Sequence, residues 1–151
     1  PISVKSYVIV KLIVAFIFGF IATLVITLAT GFLPDATFWT VLLISITGAL
    51  QAPGVALIVN SFSSNKVEGF VVMKLSGLIL IIPVLAFFIM DWQEVFLVFA
   101  PGFWPARMIQ IELLPMFNTN FNFIMYFLIG VIYNMLFLSL FMKIYSKKSN
   151  L

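Results

Sequence analysis

Apolar residues in this chain come in long unbroken runs, not at the spacing of amphipathic helices or half-buried strands. The first run extends from about Val8 to Thr30 and carries no charge after Lys11, and the second, Phe38 to Val59, carries none. A third, Phe70 to Met90, holds only Lys74 in its first turn, where a long side chain can snorkel to the headgroups. The last, Phe121 to Met142, is uncharged. About 20 apolar residues cross roughly 30 Å of hydrocarbon, so each run predicts a transmembrane helix. The first run is too long for the apolar region of a signal peptide, and no small-residue cleavage site follows it.

A fifth stretch, Val95 to Leu114, has the right length but is interrupted by Pro101, Gly102, Pro105, Arg107 and Glu112. Proline removes a backbone donor and restricts the residue before it, so a straight helix here is costly. The pattern predicts an apolar stub, Val95 to Ala100, and a helix starting near Pro105 in its first turn.

Charge placement decides whether this stretch crosses. If it does not, Lys5, Lys11, Lys66, Lys74, Lys143, Lys147 and Lys148 share one side, leaving Arg107 as the eighth basic residue on the other with Asp35, Asp91, Glu94 and Glu112. The positive-inside rule then places both termini in the cytoplasm. If it crosses, three lysines change sides and seven becomes four against three. The expected fold is an all-α integral membrane protein, residues 1–151 forming one transmembrane domain. It has four spans, about 8–30, 38–59, 70–90 and 121–142, and a non-crossing re-entrant or interfacial hairpin, about 95–115, on the outer side before the last helix. Such a hairpin is tolerated at membrane depth only where protein or a water-filled cavity covers its backbone.

Composition narrows the function. The set AVILMFWYC makes up 64% of the chain and charged residues 9%, with a mean hydropathy of +1.24, which excludes a soluble enzyme, a disordered chain and a disulfide scaffold. With no cysteine and no histidine, thiolate and histidine catalysis and Cys/His zinc sites are impossible. No metal or cofactor is expected. Eight scattered basic residues make no nucleic-acid face. Gly69 and Lys74 look like half a phosphate loop, but the second glycine and the Ser/Thr after the lysine are absent. A chain that opens at Pro1 is expected to be processed or part of a longer polypeptide.

Within the spans, Gly19, Thr23, Thr27 and Thr30 form one stripe of small residues, and Ser45, Gly48, Ala52 and Ala56 form another, as helix-packing faces do. Gln51 is a rare mid-span polar group, and Pro53 with Gly54 predicts a kink that frees a carbonyl one turn earlier. These residues, like Pro83 and the pair Gly130 and Asn134, read either as bonds to broken backbone and neighbouring helices or as polar points on a transport path. No Asp, Glu or Arg lies deep in a span, which argues against gradient-driven transport. Asp91 and Glu94, beside Trp92 and Gln93, read as a solvated, aromatic-belted helix end. The polar connection Asn60 to Gly69 reads either as a capped, solvated turn or as a contact surface on which Lys66 and Glu68 are free to pair with a cytoplasmic partner.

Asn65-Lys66-Val67-Glu68-Gly69, Lys74 opening an apolar span, Trp92-Gln93 just past it, and Pro101 with Trp104-Pro105 in a broken segment resemble the membrane subunits of ABC-2-type exporters. The branch of fluoroquinolone and multidrug export permeases is the most similar, over about residues 38 to 142. The resemblance implies a six-span permease with a re-entrant hairpin before its last span, homo- or heterodimerisation and a separate cytoplasmic ATP-hydrolysing subunit. The four spans here correspond to the last four. The first two are missing, with the cytoplasmic connection that docks most directly on the ATPase, so a fragment or a split polypeptide is expected.

The function expected is that of a non-enzymatic permease subunit in the plasma or inner membrane, carrying a drug-like, lipid-like or peptide substrate. Gln51, Pro53 and Asn134 would line the path, and Asn65, Lys66 and Glu68 would meet the ATPase. The alternative is a non-transporting structural or assembly membrane protein. An intramembrane enzyme would need carboxylates on one face of the spans, and there are none.

Overall fold

The computed structural model describes residues 4–79, 81–89, 91–116 and 119–149, and among these every regular element is helical. Helix α1 is Val4–Thr30, ended by Gly31 at φ 60°, a left-handed conformation that suits a residue without Cβ. The second span is α2, Phe38–Ala49, followed by α3, Gln51–Phe62. The break at Leu50 fits Pro53, whose ring leaves the Ala49 carbonyl without its helical donor. Helices α4, Lys66–Ile79, and α5, Ile82–Ala86, form the third span, and α7, Phe123–Lys148, the last. Four stretches are long and apolar enough to cross a membrane: Lys5–Thr30, Phe38–Phe62, Lys66–Ala86 and Phe123–Lys148.

Helix starts follow local capping. Thr37 accepts from the Thr40 amide at 3.2 Å, and Asn122 from the Met125 amide at 2.9 Å. At the start of α4, Asn65 accepts from the Glu68 amide at 2.9 Å, while Glu68 reaches back to the Ser64 amide at 2.7 Å. This is a capping box. It starts the third span at Lys66, one turn earlier than hydropathy predicts, so Lys74 lies in the third turn, on an exposed face, instead of the first. The span's helix also ends at Ala86; the expected end, Met90, lies outside the described residues.

The broken stretch folds as a short 3-10 helix, Asp91–Phe96, a turn through Pro101 and Gly102, and helix α6, Phe103–Leu113. Pro105 sits in the first turn of α6, as its missing amide allows. Eleven residues rise only about 16 Å, half of what a crossing requires. Yet this is the best-covered part of the chain. Leu97, Ala100, Phe103, Trp104, Ala106 and Met108 are buried, and α6 packs against α2, α5 and α7. Its aromatic cluster joins α7 through Trp104, 6.3 Å from Tyr126 and 5.8 Å from Tyr133 between ring centres. Covering the segment with protein satisfies the condition that irregular backbone must meet at membrane depth.

The small-residue stripes face each other. A Cβ on Gly19 would stand 3.4 Å from Ala52 Cβ and 3.5 Å from the Ala49 carbonyl oxygen, and Thr23 approaches Gly48. These contacts bring α1 onto α2 and α3. The outward faces of α1 and α4, including Ile13, Ile17, Phe18, Phe70, Val71 and Leu75, remain exposed.

Two glycines on α7 and α4 separate packing from propensity. At Gly130 a Cβ would lie 2.7 Å from Trp104 Cβ and 3.2 Å from Thr47 Cγ2, whereas at Gly77 it meets nothing within 4 Å. Gly130→Ala should destabilise the protein by about 1–3 kcal/mol through overpacking. Gly77→Ala should be neutral or stabilising by up to about 1 kcal/mol. Thermal unfolding in detergent checks the pair, and equal melting temperatures for the two variants would contradict the packing.

Candidate functional site

The only arginine of the chain, Arg107, is placed by α6 and is 1% exposed. Its Nε and Nη2 both reach Glu94 Oε2, at 3.1 and 2.9 Å. Nη1 donates to the Ala86 carbonyl at 2.8 Å and to Gln110 Oε1, and Nη2 donates to the Ile89 carbonyl at 2.7 Å. The guanidinium also lies 5.3 Å from the Phe103 ring centre. A planar fork with five donors fits such a site; a lysine could not bind all these acceptors at once. The two carbonyls come from the end of α5 and the turn after it, where a helix leaves its last carbonyls without helical donors.

Glu94 is the correction this site makes to sequence reasoning. It is not a solvated helix end: it is 8% exposed, paired to Arg107, and its other oxygen accepts from Asn120 Nδ2. The side chain of Asp91 lies outside the described residues. The clamp thus joins α5, the 3-10 helix, α6 and the segment leading into α7. Gln110 is fully buried, and its Nε2 has no hydrogen-bond partner among the described residues. Burial raises the carboxyl of Glu112, one turn beyond the clamp, above the ordinary carboxylate range.

Beside the clamp a groove of about 530 Å³ opens between α1, α2, α5 and α6. Its walls are apolar, with Ile44, Val84, Phe87, Phe88, Pro105 and Ile109 prominent. Thr23 also lines it, but its hydroxyl is bonded to the Gly19 carbonyl at 2.8 Å, so the side-chain amide of Gln51 is its principal polar handle. The amide presses against the turn before α6. A Cβ on Gly102 would lie 2.6 Å from Gln51 Oε1 and 2.4 Å from Pro83 Cγ, so glycine is required there.

Asn134, 1% exposed, approaches the same turn from α7, donating to the Pro101 carbonyl at 3.4 Å and the Gly130 carbonyl at 2.8 Å. Gln51 and Asn134 therefore flank residues 101–102, and Pro83 touches them too. Asn134 has its amide nitrogen engaged with backbone, the plainer of its two sequence readings. Pro53 is not brought to this groove; it lines a separate one with Leu50 and Met135.

Asn65, Lys66 and Glu68 come together at the tight turn Ser63–Asn65 between α3 and α4. Asn65 and Glu68 are committed to the capping box, Asn65 Nδ2 also reaching Glu68 Oε1 at 3.0 Å, so Glu68 is not free in the way its exposure suggests. Lys66 stands exposed beside them. Lys148, at the end of α7, donates to the carbonyls of Asn60 and Ser63, a cation on the last turn of α3.

Sequence reasoning passed over Arg107, Gln110 and Asn120. The available signal was that seven basic residues are lysine and one, inside the broken stretch, is arginine. Residues 1–142 match the family described as "Fluoroquinolones export permease protein Rv2686c-like". No curated protein and no solved structure matches the chain.

Breaking a buried ion pair from one side leaves the other charge unpaired, at about 3–5 kcal/mol. Arg107→Met is therefore expected to be severely destabilised. Glu94→Gln should be milder, because an amide oxygen can still accept from Arg107 while the two carbonyls and Gln110 keep it satisfied. Thermal unfolding of the two variants in detergent checks this order. A melting temperature for Arg107→Met at or above that of Glu94→Gln would contradict it.

Proposed function

The chain belongs to the Rv2686c-like fluoroquinolone export permease family, and from that premise we propose that it is the membrane subunit of an ATP-binding cassette exporter. In this reading a separate cytoplasmic subunit hydrolyses ATP, and a second permease chain, identical or related, completes the pathway. The four spans are the last four of six, and the first two lie elsewhere in the same or another polypeptide. Both ends of this chain lie in the cytoplasm and the clamped hairpin of residues 91–113 dips in from the outer face, consistent with seven of eight basic residues on one side.

The observation that carries the reading is the groove of about 530 Å³ with one amide, Gln51, on otherwise apolar walls, next to a turn held by Asn134. Apolar clefts with few placed polar groups are how proteins bind drug-sized molecules. A groove closed on one side by a short covered hairpin can change shape if α6 shifts against α2 and α5. Gln51 supplies a directional contact to a largely apolar, aromatic-bearing substrate. Asn134 positions the turn, and Pro53 keeps the α2–α3 axis broken beside it. Among the described residues no charged side chain lines the groove, so ring surface and hydrogen bonding drive recognition there.

At the other end, the capping box fixes the orientation of the turn and leaves Lys66 as its outward charge, suited to an acidic patch on the ATPase. Asn65 and Glu68 shape that surface more than they pair across it. A non-transporting assembly protein is the second reading, favoured by the small-residue stripes, which are helix-packing surfaces in either case.

Copurification and reconstitution of the full-length permease with its ATPase subunit test the proposal. Lys66→Glu should weaken copurification while leaving the fold intact. Gln51→Leu should leave assembly intact and lower substrate-stimulated ATP hydrolysis about threefold to tenfold, as loss of one neutral hydrogen bond implies. Undiminished stimulation in Gln51→Leu would remove Gln51 from the path. No stimulation by any fluoroquinolone in the wild type would favour the assembly reading.

A further inference from the structure

A second pair of cavities lies on the opposite side of α3 from the Gln51 groove. One, of about 500 Å³, is an apolar trough between α1, α3 and α7, with Phe16, Pro53, Leu57, Met135, Leu138 and Met142 among its walls. The other, of about 260 Å³, is lined by Tyr7, Lys11, Asn60 and Tyr145. The two adjoin, Leu12 and Leu57 lining both.

All three helices change character in the same direction along this path: from Phe16 to Lys11 on α1, from Leu50 to Asn60 along α3, and from Met135 to Tyr145 on α7. On α3 and α7 the ten residues rise about 15 Å, which is half the hydrocarbon thickness and therefore the depth of one leaflet. At the polar end the Lys11 ammonium sits 4.5 Å over the Tyr7 ring, held by cation–π attraction with its charge still exposed to the cavity. Asn60 Nδ2 is bonded to the Ala56 carbonyl at 2.7 Å, and the ammonium of Lys148 rests on the Asn60 carbonyl at 3.3 Å. Lys5 at the start of α1, Lys66 at the start of α4, and Lys143 and Lys147 near the end of α7 lie toward the same end of the bundle by topology.

From this adjacency of an apolar trough to a basic polar end, and from the charge complementarity there, we infer a bound-lipid site for one anionic phospholipid. Its phosphate meets Lys11 and the Tyr145 hydroxyl, and an acyl chain follows the trough past Leu57 toward Met135. A zwitterionic lipid fits the trough but forfeits part of the charge attraction at the polar end. The site stands apart from the Gln51 groove and does not depend on the transport reading.

The test is native mass spectrometry of the full-length protein in detergent, given equal amounts of phosphatidylglycerol and phosphatidylcholine with matched acyl chains. Preferential retention of phosphatidylglycerol is expected. Lys11→Gln should lower that preference about fivefold, the worth of one lysine near an anionic surface, and Lys11→Arg should keep it. Leu57→Trp, which fills the trough, should reduce retention of both lipids. Equal retention of the two lipids by the wild type, or an unchanged preference in Lys11→Gln, overturns the site. So does competition by glycerol phosphate as effective as that by the intact lipid, because the acyl trough then contributes nothing. If Leu57→Trp instead disrupts dimers and leaves lipid retention unchanged, the trough belongs to a second copy of the chain and the inference fails.

Discussion

A full positive charge in a chain that is 64% apolar has to be satisfied completely or it destabilises the fold. Arg107 meets that demand with acceptors that include Glu94, Gln110 and the carbonyls of Ala86 and Ile89. Each acceptor fixes a piece of chain. The two carbonyls belong to the end of α5 and the turn after it, Glu94 belongs to the 3-10 helix, and Asn120 on the far oxygen of Glu94 ties in the approach to α7. Once α6 is anchored this way, Trp104 must pack on α7 at Gly130, and the 101–102 turn must pass between Gln51 and Asn134. The glycines at 102 and 130 are consequences of that anchoring.

Hydropathy makes the four spans legible because lipid imposes one demand on every residue of a span. The broken stretch is legible from the placement of the charges and from Pro101, Gly102 and Pro105, which interrupt a run otherwise long enough to cross. Boundaries were harder. The third span starts at Lys66 because Asn65 and Glu68 cap it, and where it ends, at Ala86, its open carbonyl is met by an arginine 21 residues later. The cap is local and readable from the spacing of Asn65 and Glu68. The arginine contact is tertiary and is not.

Glu94 shows the same limit. Beside Trp92 and Gln93 it has every local mark of a solvated helix end, and only the fold brings Arg107 to it across 13 residues. Of the polar points singled out from sequence, Gln51 and Asn134 converge on one turn, while Pro53 faces another groove. Composition cannot separate these outcomes, since all three lie in apolar helices. What separates them is the face each occupies: Gln51 and Pro53 both lie on α3 but line different grooves, and Asn134 reaches the turn from α7. The two sides of α3 differ in kind: one groove is neutral and carries a single amide, and the other ends in a lysine.

In the proposed topology the clamped hairpin enters and leaves the membrane on one side, so that Ser6 and Ser149 share a face. Because the chain has no cysteine, this can be read with single-cysteine variants and a membrane-impermeant maleimide on intact cells. Cysteine at Ala36 and at Met116 should label from outside, whereas cysteine at Ser64 and at Ser149 should label only after permeabilisation. Labelling of Ser149→Cys from outside, with Ser64→Cys still protected, would mean that residues 91–113 cross the membrane and would contradict the account.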